Sequence, residues 1–194
     1  MDHEESIAFV GDSITGHGDW TAWFPDREVH NFGVSGNTTD DLIARTGEIV
    51  AAQPAEIALL IGTNDLGRRQ SVEHLVRNIE FLLVTLRREL PGARMLVQSI
   101  MPRGKEFAVQ LQDANRHLRQ FSPSVNAQYL DLWPALATED GEIAAEFSDD
   151  KLHLTDAGYQ AWLSELRPAL ERLSDAPPMS GTLRVIQVDE NQRR

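Results

Sequence analysis

The sequence predicts a three-layer α/β sandwich: a parallel sheet with helices on both faces. Three observations point to it. Short apolar runs at 7–10, 29–33, 57–61, 95–100 and 128–132 are continuous rather than alternating, so both faces of their strands are covered. Longer stretches with apolar residues at helical spacing separate the runs, giving β-α-β-α order throughout. Most of the runs close on a glycine or proline turn.

The first strand, Ile7-Ala8-Phe9-Val10, ends at Gly11-Asp12, and Val29-His30-Asn31-Phe32-Gly33 is a less apolar second. A helix follows Thr39-Asp40-Asp41, a capped start, and carries Leu42, Ile43, Ile49 and Val50. Ile57-Ala58-Leu59-Leu60-Ile61 is the third strand, closed by Gly62. From Ser71 to Leu90, the residues Leu75, Ile79, Leu82, Leu83 and Leu86 form one apolar stripe, stopped by Pro91-Gly92. Met95 to Ile100 is the fourth strand, closed by Pro102, and a helix with Phe107, Leu111, Ala114, Leu118 and Phe121 stops at Pro123. Gln128 to Leu132 is the fifth strand, closed by Pro134. The last helix starts near Thr155-Asp156 and carries Ala161, Trp162 and Leu166; Pro168 predicts a kink or a fresh turn in it. One domain over 1–173 accounts for this pattern. The tail, 174–194, reads as a linker rich in Pro and Ser, with strand composition from Thr182 to Val188 suited to a loose end or an added edge strand.

Composition narrows the function. The 194 residues include no cysteine, which removes Cys-based zinc sites, iron–sulfur clusters, disulfides and a cysteine nucleophile. With 18 Lys+Arg against 30 Asp+Glu the net charge is −12, unsuited to a nucleic-acid partner or an anionic membrane surface. The acidic start Met1-Asp2-His3-Glu4-Glu5 is unlike a secretory signal, and no run approaches the ~18 apolar residues of a membrane span. A cytoplasmic protein without membrane insertion is the expectation, and a homo-oligomer is left open.

Ligands of parallel α/β sheets bind at the carboxyl ends of the strands. Gly11-Asp12-Ser13 stands at the first such end, Gly33-Val34-Ser35-Gly36-Asn37 at the second, Gly62-Thr63-Asn64-Asp65 at the third, and Asp150-Lys151-Leu152-His153 between the fifth strand and the last helix. Each has a plain structural reading as turn, cap or buried histidine. Their joint placement at one edge favours chemistry. A serine hydroxyl needs a base within hydrogen-bond reach, and His153 can shuttle a proton near neutral pH. Asp150, three residues before it, can orient the ring. The Ser13 N–H, the Gly36 N–H and the Asn64 amide can meet an oxyanion.

These blocks resemble the four signature blocks of the SGNH hydrolases, or GDSL esterases/lipases, over about residues 7–173. The resemblance implies a flavodoxin-like fold with five parallel strands in the order 2-1-3-4-5. It implies Ser13 as nucleophile, His153 as general base and then acid, Asp150 as its orienting carboxylate, and Ser13, Gly36 and Asn64 as oxyanion hole. It also implies no metal and no organic cofactor. Asn31 to Thr39 and Met101-Pro102-Arg103-Gly104 further resemble segments of the catalytic subunits of intracellular platelet-activating-factor acetylhydrolases, which implies a short-acyl preference.

Other residues are supporting or pocket candidates. Asp12 and Asp65 lie inside the blocks; Trp20 and Trp23 line an acyl or alcohol pocket or pack beneath the loop; Arg103 touches substrate or pairs on the surface. His17 is a poor rival base, having no carboxylate at fixed spacing. The acidic run from Glu139 to Asp150 lacks the pattern of an EF-hand loop. The expected function is a serine esterase acting on small or short-acyl carboxylic esters through an acyl-enzyme. Alternatives are a carbohydrate acetylesterase, a lysophospholipase or thioesterase of the same family, and a non-catalytic binding module on the same fold. A flavin or nucleotide binder would need a glycine-rich first turn, and only Gly11 is there.

Overall fold

The structure is a computed structural model and describes residues 6–176. The edge strand expected over 182–188 lies outside the described residues. The strands are β1 (Ser6–Gly11), β2 (Glu28–Gly33), β3 (Glu56–Leu60), β4 (Arg94–Gln98) and β5 (Ala127–Leu130). They form one parallel sheet in the order β2-β1-β3-β4-β5, as expected. In chain order the helices are α1 (Ser13–Gly16), α2 (Trp20–Trp23), α3 (Thr39–Ala44), α4 (Thr46–Ala52), α5 (Thr63–Gly67), α6 (Val72–Glu89), α7 (Ala108–Phe121), α8 (Trp133–Leu136) and α9 (Asp156–Ser174).

The continuous apolar runs serve two cores. Side chains alternate across a strand, so Ala8, Val10, Ile57, Leu59, Met95 and Val97 pack on one face with Leu42, Ile49, Leu75, Ile79 and Leu111 of α3, α4, α6 and α7. Ile7, Phe9, Ala58, Leu60 and Leu96 pack on the other with Ile14, Trp20, Leu136, Trp162 and Leu166 of α1, α2, α8 and α9. β1 and β3 are buried throughout, while the edge strand β2 is half-exposed, matching its weaker apolar signal. Among the described residues no helix is long and apolar enough to cross a membrane.

The structure departs from the sequence reading in the helix after Thr39 and at the end of the fifth strand. The helix expected after Thr39 is divided: α3 starts from a capping box of Thr38 with Asp41, and Arg45, at φ −111°, ψ 14°, separates it from α4. Pro168 lies inside α9, which continues through it to Ser174. The carbonyl left without a donor there belongs to exposed Ser164, and Leu166, Ala169, Leu170 and Leu173 stay anchored in the core on either side. The strand expected to reach Leu132 ends at Leu130, because the Leu132 N–H turns to the Ser99 hydroxyl at 2.8 Å.

Candidate active site

The four sequence blocks meet at the carboxyl edge of the sheet. β1 ends at Gly11 beside Gly33 of β2 and Leu60 of β3. Asp12 takes an extended conformation and caps α1, its Oδ1 accepting the Ile14 N–H at 3.0 Å. Ser13 is therefore the first residue of a short helix, buried apart from a small opening. The approach of α1 to β2 leaves no room for a side chain at Gly33, where a Cβ would lie 2.1 Å from the Gly16 nitrogen.

Ser13 Oγ lies 3.2 Å from His153 Nε2. His153 Nδ1 lies 2.7 Å from Asp150 Oδ2. The other Asp150 oxygen accepts the backbone N–H groups of Leu152, at 2.9 Å, and His153, at 2.7 Å. Lys151 between them stands in the left-handed region at φ 62°, which folds the loop back on the carboxylate. The hydrogen bond from the His153 ring, ahead of the two backbone bonds, holds the Asp150 carboxyl down at about 2. A carboxylate that stays ionised fixes the proton on Nδ1 and leaves Nε2 as the acceptor for a serine hydroxyl.

The second block forms a tight turn. The Asn37 N–H donates to the Val34 carbonyl at 3.1 Å, and Gly36 in the third turn position has φ +77°. That is the conformation in which a type II turn requires glycine. No described residue accepts the N–H of Gly36 or of Ser13. Asn64 in α5 donates one amide hydrogen to the Asn37 carbonyl at 2.9 Å, leaving its second amide hydrogen uncommitted. Asp65 is fully buried and accepts both the Thr39 N–H, at 3.1 Å, and the Thr39 hydroxyl, at 2.5 Å, clamping α5 to the start of α3. Burial pushes its pKa up, against the Thr39 hydrogen bonds that lower it. Asp12 is likewise fully buried, its Oδ2 has no hydrogen-bond partner among the described residues, and burial pushes its pKa up to about 6.

The remaining candidates divide. Trp20 does not line a pocket: it is 1 % exposed, stacks on Phe9 at 4.0 Å and donates Nε1 to the Thr15 carbonyl at 2.7 Å. A large ring that follows directly after α1 packs down onto β1 instead. Trp23 is half-buried, edge-on to Trp20 at 5.1 Å and beside Tyr159 at 5.3 Å. Arg103 makes no surface ion pair among the described residues. It lies 4.0 Å over the Phe107 ring and donates to the Thr63 carbonyl at 3.1 Å, tying the end of β4 to α5. His17 is exposed, its ring 5.9 Å from that of His153, and no carboxylate among the described residues orients it.

Two contributors were not legible as such. Ser148 accepts the Leu152 N–H at 3.0 Å and lies 3.3 Å from Asp150 Oδ1, bracing the loop. Arg45 donates to the carbonyls of Phe32 and Gly11 and to Asn37. Its signal was an arginine three residues after Leu42 and four before Ile49, on a stripe that is otherwise apolar. Among the described residues no group of three or more His, Asp or Glu side chains is arranged to hold a metal ion.

Comparison with known proteins adds three findings. A family model described as GDSL-like lipase/acylhydrolase matches residues 9–161. Platelet-activating factor acetylhydrolase IB subunit alpha2 of Homo sapiens is 29% identical over 187 residues, covering 91% of this chain and 81% of that one; subunit alpha1 of Bos taurus is 27% identical over 183 residues, covering 89% and 78%. Among solved structures, a GDSL-like lipase from Bacteroides thetaiotaomicron superposes with TM-score 0.76 at 19% identity, covering 89% of this chain and 90% of that one. A variant of an acetyl-xylooligosaccharide esterase from Geobacillus Stearmophilus superposes with TM-score 0.68 at 22% identity, covering 89% and 95%.

Proposed function

Because the chain belongs to the GDSL-like lipase/acylhydrolase family, and is thus a hydrolase of the esterase/lipase type, we propose that it is a serine esterase cleaving small or short-acyl carboxylic esters through an acyl-enzyme. The observation that carries this reading is the relay from Ser13 Oγ to His153 Nε2 at 3.2 Å and from His153 Nδ1 to Asp150 Oδ2 at 2.7 Å. Ser13 attacks the ester carbonyl as His153 takes its proton. The tetrahedral oxyanion is met by the N–H groups of Ser13 and Gly36 and by the Asn64 amide. Collapse breaks the ester C–O bond, and His153 returns the proton to the leaving alcohol. Water, deprotonated by His153, then attacks the acyl-serine; the acid leaves and the proton returns to Ser13.

Two observations support a short acyl group. The curated relatives are named acetylhydrolases. Ile14 and Trp20, two of the large apolar side chains that follow Ser13, are 2% and 1% exposed and offer little surface to a long chain. A carbohydrate acetylesterase or a lysophospholipase/thioesterase would use the same groups on a different alcohol or thiol. We assign residues 1–173 to the hydrolase domain and 174–194 to the tail.

A fluorophosphonate probe and a p-nitrophenyl ester series test the reading. Wild type should be labelled, Ser13→Ala should not, and acetate and butyrate should turn over faster than palmitate. Labelling retained in Ser13→Ala overturns the nucleophile. A faster palmitate ester overturns the acyl preference. An unlabelled, inactive wild type means a non-catalytic binding module on this fold.

A further inference from the structure

The geometry points to Arg45 as the residue that positions the oxyanion hole, an inference that rests on the reading of Gly36 and Asn64 as oxyanion donors. Its side chain joins three structures that must keep register. Nη2 donates to the Phe32 carbonyl at 2.7 Å and to the Gly11 carbonyl at 3.2 Å. Gly11 ends β1, Phe32 is the next-to-last residue of the neighbouring β2, and Gly11 stands two residues before Ser13. Nε donates to Asn37 Oδ1 at 2.7 Å.

Asn37 passes that restraint on. Its N–H closes the turn that holds Gly36 at φ +77°. Its carbonyl accepts Asn64 Nδ2 at 2.9 Å and so fixes the rotation of the Asn64 amide. One guanidinium thus sets the strand ends below Ser13, the turn carrying the Gly36 N–H, and, through Asn37, the aim of the Asn64 amide. All three acceptors are neutral oxygens, and Arg45 forms no ion pair among the described residues. The contacts exploit the planar fork of the side chain, which a lysine, with one nitrogen on a flexible stem, does not reproduce. The break between α3 and α4 falls at Arg45, whose backbone N–H still donates to the Leu42 carbonyl and whose carbonyl accepts the Glu48 N–H, while its side chain crosses to the sheet edge.

The test uses Arg45→Lys, Asn37→Ala and the double variant, assayed on p-nitrophenyl acetate and by the rate at which a fluorophosphonate modifies Ser13. Misplaced donors should lower kcat by about 10- to 100-fold with little change in KM, and should slow phosphonylation in parallel, because that reaction develops the same oxyanion. The double variant should fall no further than the worse single variant. Asn37→Ala leaves the strand-end bonds intact, so its loss should appear at unchanged circular dichroism and melting temperature even if Arg45→Lys folds poorly. Retained kcat in Asn37→Ala, losses that multiply in the double variant, or a rise in KM at constant kcat overturns the inference. An active wild type with unaffected variants overturns it alone; an inactive, unlabelled wild type overturns the underlying reading as well.

Discussion

Asp150 holds His153 twice. One carboxylate oxygen meets ring Nδ1 at 2.7 Å, and the other accepts the backbone N–H of the same residue at 2.7 Å. Ring tautomer and loop shape therefore depend on different atoms of one side chain, and a substitution can separate them. In Asp150→Asn the remaining oxygen can still take the backbone N–H groups. The amide that replaces Oδ2 offers hydrogens to Nδ1, which places the ring proton on Nε2, facing Ser13. The expected result is a fall in kcat of about 10³- to 10⁴-fold with a native melting temperature. A loss of stability in step with the loss of rate would mean that the aspartate serves the loop alone.

Asn64 gives one amide hydrogen to the Asn37 carbonyl and keeps the other. Replacing it with alanine should lower kcat by about 10²- to 10³-fold, the range for loss of one oxyanion donor, and leave KM within a few-fold. Steady-state kinetics on p-nitrophenyl acetate separate the two. A raised KM at constant kcat would assign Asn64 to ground-state binding instead.

Gly36→Ala tests the turn. A Cβ there would meet only Arg68 Nη2, at 3.8 Å, so space is available and the cost lies in φ +77°. Urea unfolding should show a loss of about 1 kcal/mol. Activity should fall by more than that figure accounts for, because relief of the strain turns the Gly36 N–H. Wild-type turnover in the variant would show that this N–H does not matter.

Asp12 gives a pH prediction. Its carboxyl is pushed from 3.8 up to about 6 by burial. The fold thus favours the protonated form: the stability it contributes is complete below pH 3.8 and is lost as pH rises through 6. Above pH 7 the ionised group weighs against folding by up to about 3 kcal/mol, at 1.36 kcal/mol per pH unit. Asp12→Asn keeps an oxygen for the Ile14 N–H and carries no charge. Denaturant titrations should find the variant more stable than wild type at pH 8, with the advantage gone by pH 4. An advantage that does not change with pH would mean that Asp12 ionises in its ordinary range.

Strand positions and the residues at their ends were readable because buried parallel strands are continuously apolar and their loops must turn at once. Ile7 to Val10 and Ile57 to Ile61 leave little alternative. The relay was readable because Asp150 and His153 share one short loop. Bonds between distant side chains carry no local signature. Nothing around Thr39 reveals that it binds Asp65, 26 residues on. The sequence left Trp20 open between pocket and packing, because an aromatic residue beside a reactive turn has the same composition whether it faces solvent or β1. The break at Arg45 was hidden because Leu42, Ile43, Ile49 and Val50 keep helical spacing across it.

The hydroxyl and imidazole that meet at 3.2 Å are 140 residues apart in the chain. Ser13 follows β1, inside the sheet, whereas His153 follows β5, at its far edge. Three strand spacings, about 14 Å, separate those two strands, and the segment ahead of α9 has to recross that distance. A chain with β1 to β4 paired but β5 and the segment after it undocked would hold Ser13, Gly36 and Asn64 together without His153. Under the proposed mechanism, ester turnover on refolding from urea should return no sooner than the docking of the segment that carries His153, which makes activity a reporter of completed topology.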